Sequence, residues 1–422
     1  MAGLLAKLWP ALPRSGKFRR FWLGQSMSLT GTQVTLLALP LAAVLFVNAT
    51  PEQMGLLVAT EMVPVALLSL FIAVWVDRLR RRPLLIAADV ARKVCIGSVP
   101  VAALLGVLHI EYLYVVSFCV GALSVTFDTA SSAFLPTIVA DEELAAAYGA
   151  NVVTESAAEV VGPSVAGLLV QVFTAPLALL VDAVSYVFSA VMLVSIRADE
   201  PLPRRASVPS VGADLRDGLR VVVSDPMLRA IAGCIGTAGI FLEIRLVLWM
   251  LFATRELGLD PAAIGAIMAA GSIGGMLGGI AAPRLIARIG LRQSFVATVL
   301  LVPLTLTITP LAGGPWLWAC GVLLLGQALF QASMMASNVC FRMLRQQLSP
   351  PDMLGRVNAT IRLLTWGALP IGALLGGQLG QQFGLRPALA ISAVGAMLGC
   401  AWLLPLLRQS APRAVIRLRF LS

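Results

Sequence analysis

Glu243 and Arg245 stand inside a long apolar stretch of the chain, and Glu61 stands inside another. In a lipid bilayer each such ionisable group costs at least roughly 2.5–3.5 kcal/mol, so it needs a partner, a wet cavity or a task. A carboxyl can take up and release a proton, whereas a guanidinium carries a fixed positive charge. Gln33, Gln327 and Gln331 add neutral amides in further apolar stretches, and residues four apart, as 327 and 331 are, share one helix face. Amides and a carboxylate in an otherwise apolar cavity suit an amphiphilic small molecule with few fixed charges. The alternative for each glutamine is a helix–helix hydrogen bond, worth about 0.6 kcal/mol in membranes.

Other chemistry is not supplied. The single histidine, His109, and the cysteines 95, 119, 234, 320, 340 and 400 form no CxxC or HExxH spacing. A zinc, haem or iron–sulfur site is therefore not expected, and packing is the expected role of the cysteines. No nucleophile–base set is present, so neither an enzyme nor a cofactor is expected.

The elements that must hold these residues follow from composition. Apolar residues make up 59% of the 422, charged residues 12%, and mean hydropathy is +0.90. No soluble globule of this size can bury that much apolar side chain. The apolar runs are about 20 to 27 residues long, enough to span a bilayer. Twelve spans are predicted, in the first half at about 21–47, 53–76, 84–108, 112–134, 149–172 and 176–196. The second six fall at about 228–253, 261–283, 293–312, 316–340, 357–383 and 386–407. With the N-terminus inside, 24 lysines and arginines fall in cytoplasmic segments, and only Arg255 and Arg386 outside. Both termini are therefore expected in the cytoplasm. The net charge of +10 then reads as contact with anionic lipid, with no nucleic acid needed.

Between the two sets of six lies a polar segment, 197–227. Its part Val211–Ser224 alternates Asp214, Arg216, Asp217 and Arg220 with Leu215, Leu219 and Val222. That pattern predicts an amphipathic helix on the cytoplasmic face. The expected organisation is a six-helix unit over 1–196, a linker over 197–227, and a six-helix unit with a basic tail over 228–422. A weak internal repeat supports it. Asp77-Arg78-x-Arg80-Arg81-Arg82 is matched by Pro283-Arg284-Leu285-Ile286-Ala287-Arg288, and Asp141-Glu142-Glu143-Leu144 by Pro351-Asp352-Met353-Leu354. By these loops Gln33 is the counterpart of a position near 241. Two like-oriented halves with a site between them is a transporter architecture.

Over its whole length the chain resembles the major facilitator superfamily. Ala73-x-x-x-Asp77-Arg78-x-Arg80-Arg81-Arg82 resembles its signature loop G-x-x-x-D-R-x-G-R-R/K, with Ala73 and Arg80 in place of glycines. Gly149, Ala158, Gly162-Pro163, Ala166 and Gly167 resemble the G-x8-G-x3-G-P-x2-G-G pattern of its proton-coupled exporters, with two alanines for glycines. Phe127-Asp128-Thr129-Ala130-x-x-Ala133-Phe134-Leu135-Pro136 is similar to F-D-P-A-R-S-A-L-L-P of the enterobactin-exporter and macrolide-efflux-like branch. Leu180 to Tyr186, around Asp182, and Pro351-Asp352-x-Leu354-Gly355-Arg356-Val357 fit the same branch.

The resemblance implies an all-α, twelve-helix fold in two pseudo-symmetric halves, lodged in the inner or plasma membrane. It also implies proton-coupled export of a bulky hydrophobic or amphiphilic compound by alternating access, with protons, substrate and lipid as partners and the monomer as the working state. Import of a sugar or amino acid is the alternative, and a non-transporting scaffold or receptor a remote one. Spans one, four, seven and ten would line the cavity. Asp77, Arg78, Arg81, Arg82 and Asp128 would gate its cytoplasmic end, and Gly162-Pro163 would let span five bend. Spans five and eight would meet, using glycines such as Gly275 and Gly279.

Depth sorts the candidates. Glu243 lies roughly 4 Å from the midplane of span seven, which makes it the first candidate for a proton carrier or substrate anchor. Arg245 is about 200° round the helix from it, so the two cannot pair. Arg245 and Glu61 lie at similar depths, roughly 7 and 5 Å to the outer side. An outer latch between the halves is one reading of that match; the others are pairing of each within its own half, or Arg245 reaching toward the outer interface. Asp182 is expected to pack, Asp89, Arg92 and Lys93 to join the cytoplasmic charges, and the role of Glu155 and Glu159 is open.

Overall fold

The structure is a computed structural model that describes residues 13, 15–76, 78–197, 211–348 and 354–403. The helices of the first half are α1 (Gly16–Leu41), α2 (Pro51–Val76), α3 (Arg81–Leu104), α4 (Ile110–Ile138), α5 (Leu144–Phe173) and α6 (Ala175–Ser195). Then follow α7 (Val211–Ser224), α8 (Pro226–Leu251), α9 (Pro261–Ile289), α10 (Leu291–Leu306), α11 (Trp316–Leu348), α12 (Leu354–Phe383) and α13 (Leu385–Gly399). Among the described residues nine helical segments are long and apolar enough to cross a membrane. The helices α2, α3 and α12 are of similar length, 26, 24 and 30 residues. Arg81, Arg82, Asp89, Arg92 and Lys93 lower the hydropathy of α3. Large apolar side chains such as Phe71, Leu104 and Leu317 point outward, as lipid contact requires. The chain is an all-α, multi-pass membrane protein.

Helix ends follow capping rather than hydropathy. Helix α1 begins at Gly16, ahead of the apolar run, because the Ser15 hydroxyl accepts from the Phe18 N–H. Helix α3 stops at Leu104, short of the expected 108, where Gly106 takes a φ of 71°. At their C-terminal ends α4 and α11 run past the apolar stretches, since a helix satisfies its own backbone in water as in lipid.

Local features recur at a constant spacing in the two halves. Both α1 and α8 pass into a five-residue π turn, Ala42–Phe46 and Phe252–Glu256. Each turn closes on a left-handed residue, Asn48 (φ 58°) and Gly258 (φ 62°). Thr174 (φ 85°) and Gly384 (φ 87°), which start α6 and α13, form another such pair.

Among the described residues the two halves share one apolar core at the end expected to lie outside, and have separate cores at the other end. One apolar core runs through both halves, with Val34, Leu57, Leu113 and Leu179 from the first and Leu248, Phe252, Ile264 and Leu389 from the second. At the other end it divides. Phe18, Trp22, Phe134 and Leu193 pack in the first half, and Ile231, Cys234, Phe295 and Leu344 in the second. Two glycine seams join the halves at the shared core. An added Cβ on Gly167 of α5 would meet Pro261 O and lie 3.0 Å from Gly265 Cα of α9. One on Gly377 of α12 would lie 2.9 Å from Pro51 O and 3.0 Å from Glu52 Cα of α2. The seams share the spacing of the other repeats: 377 answers 167, and 51 and 55 answer 261 and 265. The Arg255 guanidinium also donates to Ala49 O at 2.8 Å across the halves.

Candidate functional site

Helix α8 carries the two central charges, and its start is written locally. Asp225 accepts from the Met227 and Leu228 N–H groups at 2.8 Å, and Pro226 takes the first helical position. Glu243 and Arg245 are each 6% exposed. Glu243 rests on Gly372 of α12, where any Cβ would come within 2.8 Å of its own Cβ. Its Oε1 is buried and has no hydrogen-bond partner.

Arg245 points away from Glu243, as the helix period requires. It donates to the Gln327 Oε1 of α11 and lies over the Phe330 ring at 4.2 Å, while its Nε has no partner. Both partners belong to its own half. Glu61, half-buried on α2, makes no ion pair with it. The outer latch is thus absent in this conformation, and the within-half reading holds for Arg245. The Gln327 amide and the Phe330 ring hold the guanidinium instead.

The glutamines pack on glycines, and none of the three lines the cavity beside Glu243. Gln327 and Gln331 lie over Gly271 of α9, whose missing side chain makes the room. Gln33 likewise lies over Gly162 of α5. The constant spacing pairs Gln33 with Glu243, not with a residue near 241, and Gly162 with Gly372. Each half thus sets one polar side chain of its first helix on a glycine of its fifth. Pro163 is buried beside Gly162, and its carbonyl faces Gly265 across the seam. On α9, Gly274 and Gly278 abut the Ala328 and Ala332 backbone of α11. Gly275 and Gly279, which the sequence singled out, make only looser contacts with Gln331 and Met335.

A cavity of about 670 Å³ opens beside Glu243 between α8, α10, α11, α12 and α13, all of the second half; the lining expected from spans one and four does not contribute to it. Asn338, Thr365, Trp366, Arg342 and Arg345 also line it. None of these was singled out from sequence. Met334, Asn338, Phe341 and Arg345 recur at helical period on α11, which is the signal that could have found them.

The first half holds a second buried polar cluster. Asp89 and Arg92 form an ion pair at 2.5 Å, and the Arg92 guanidinium lies 4.1 Å from the Phe127 ring and 4.5 Å from that of Tyr186. Asp182 accepts from Thr35 and, at 3.0 Å, from Ser185. These groups tie α1, α3, α4 and α6 together; Lys93, which is exposed, does not join them. Of the gating residues, Asp77 lies outside the described residues. Arg78 and Asp128 are exposed, and Arg81 is half-buried. Arg82 donates to the Leu193 and Val194 carbonyls at 2.9 and 2.6 Å, capping the end of α6. Glu155 and Glu159 are exposed on α5.

The sequence pattern of the Major Facilitator Superfamily matches residues 21–369, with a second match over 245–422. The chain is 25% identical over 391 residues to the Multidrug efflux pump Tap of Mycolicibacterium fortuitum, covering 90% of this chain and 93% of Tap. It is 24% identical over 384 residues to Macrolide efflux protein A of Streptococcus pyogenes, covering 88% and 91%. The nucleoside transporter NupG shares the fold at a TM-score of 0.76 and 11% identity, over 94% of this chain and 100% of that one. A bacterial homologue of the iron transporter ferroportin gives 0.72 at 18% identity in its inward-facing state, over 92% and 97%. In its outward-facing state with soaked iron it gives 0.57 at 20%, over 93% and 99%.

Proposed function

The chain belongs to the Major Facilitator Superfamily, and on that premise we propose that it is a proton-coupled exporter of bulky hydrophobic or amphiphilic compounds. A secondary-active transporter of this family moves its substrate chemically unchanged across the inner or plasma membrane, so the protein is not an enzyme. The proposal adds direction, coupling ion and substrate class. It also adds the architecture: twelve spans in two units, 1–196 and 228–422, joined by 197–227.

The observation that carries it is Glu243: buried, with one oxygen unpartnered, on the wall of a 670 Å³ cavity. That volume is in the range that takes drug-sized ligands, about 300–1,000 Å³. A carboxyl is the group there that can take up and give back a proton. The divided inner core and the two closed outer seams support an inward-facing resting state. So does the better match to the inward-facing than to the outward-facing ferroportin homologue.

The cycle follows. Substrate enters from the cytoplasm and settles against Glu243 and the apolar wall. The seams at Gly167–Gly265 and Gly377–Gly55 part and the inner ends meet. A proton from outside then neutralises Glu243, substrate leaves, and the protonated carboxyl returns inward to discharge. Export, rather than import, is supported by the printed roles of Tap and Macrolide efflux protein A. The test is accumulation of a set of fluorescent dyes and macrolides in cells expressing the protein. Lower accumulation that an uncoupler restores supports the reading. Higher accumulation on expression, or export indifferent to the uncoupler, contradicts it.

A further inference from the structure

Two thiols on the wall of the cavity have no part in that cycle. Cys234 belongs to α8, and Cys400 to the turn Cys400–Leu403 that follows α13. Both are free thiols and both line the cavity, and Gly399, the neighbour of Cys400, packs on Thr237 and Ala238, one helical turn from Cys234. The Cys400 Sγ has the weak acceptors Ala396 O at 3.5 Å and Val299 O at 3.8 Å. The thioether of Met334 stands on the same wall. Both thiols are buried, Cys234 within the packed core of the second half, and each borders the void from which an incoming ion would arrive.

Paired thiolates select soft ions, while hard ions need several oxygens that this part of the wall lacks. Arg342 and Arg345 line the cytoplasmic part of the same cavity. Their fixed positive charge repels a bare cation and draws in an anionic complex. We propose that Cys234 and Cys400 form a bis-thiolate site for a monovalent soft ion of the cuprous or silver type, delivered as an anionic complex of a small thiol. Transfer is ligand exchange. Each protein sulfur forms one bond to the ion as one bond to a small thiolate breaks. The proton of each cysteine leaves on the departing thiolate. The bound complex therefore keeps its single negative charge, and no electron moves. The site does not depend on the export reading, since it uses neither Glu243 nor the proton gradient.

The probe is silver(I) complexed with 2-mercaptoethanesulfonate, an anionic thiol, added to the reduced full-length protein in lipid nanodiscs. After excess complex is removed, N-ethylmaleimide is applied and peptides are mapped. Silver should slow alkylation of Cys234 and Cys400 at least tenfold and leave Cys95, Cys119, Cys320 and Cys340 unchanged. Native mass should show one silver fewer on Cys234→Ser/Cys400→Ser than on the unsubstituted protein. Cys95→Ser/Cys119→Ser is the control, because those two thiols do not line this cavity; it should keep the silver. Protection is read on the unsubstituted chain, so it does not depend on how the variants fold. Equal protection of all six thiols, no protection of the two, or no alkylation of them even without silver would each overturn the proposal.

Discussion

Alanine at Gly167 and Gly377 should open the outer side. In the closed seams the added methyl at 377 would stand 2.9 Å from Pro51 O and 3.0 Å from Glu52 Cα. At 167 it would stand 3.0 Å from Gly265 Cα, with Pro261 O closer still. All of these are backbone atoms, which cannot swing aside as a flexible side chain could. Overpacking of this kind costs about 1–3 kcal/mol. The helix-propensity gain of alanine over glycine, about 1 kcal/mol, is the same in both conformations and cancels. The overpacking cost does not cancel, because the seams exist only while the outer side is closed. Each substitution should then shift the balance toward outward-open about 5- to 150-fold. The seams are separate, so the double variant should shift it by about 2–6 kcal/mol. Spin labels at the exposed outer positions Val107 and Leu311, one in each half, report the separation. They are placed in a background with the six native cysteines replaced. The double variant should gain a longer-distance population. Gly321→Ala, where a Cβ meets nothing within 4 Å, should not. An unchanged distribution in the double variant, or an equal shift in Gly321→Ala, refutes the reasoning.

Three further predictions concern the buried charges and one exposed pair. Gln327→Leu strands the buried Arg245 guanidinium without its acceptor, and should cost about 1–3 kcal/mol, read as a lower melting temperature in detergent; adding Arg245→Met should recover most of it. Arg92→Met leaves Asp89 buried without its cation and should cost about 3–5 kcal/mol, whereas Arg92→Met with Asp89→Leu should melt well above the single variant. Glu256→Gln removes the partner of Arg386 at 3.0 Å, but both side chains are substantially exposed. That change should stay within about 1 kcal/mol, and a larger drop in melting temperature would show a role the geometry does not supply.

Hydropathy and charge asymmetry made the membrane class and the long helices readable, because lipid forces backbone groups to be satisfied within each segment. Helix ends were less legible, since Ser15 and Gly106 act through caps and backbone conformation. The opposed directions of Glu243 and Arg245 followed from the helix period alone. The partner of Arg245 did not: Gln327 and Phe330 become neighbours only once α8 packs near α11, and equal depth made Glu61 look as suitable. The amides were visible as residues, but their seating on Gly162 and Gly271 depends on interhelical approach, which one sequence does not display. Asn338 and Arg345 were passed over because polar residues near a helix end read as interfacial, although period and depth place them on the cavity wall.

The proton-coupling role of Glu243 is tested most directly in sealed vesicles carrying a set pH gradient, with Glu243→Gln beside the unsubstituted protein and one exported dye as substrate. Glutamine keeps the shape and hydrogen-bonding capacity of the side chain and removes its titratable proton. Uphill, gradient-driven movement should be lost in Glu243→Gln, while exchange of labelled for unlabelled substrate without a gradient should persist within a few-fold. Uphill transport at the unsubstituted rate in Glu243→Gln would contradict the account.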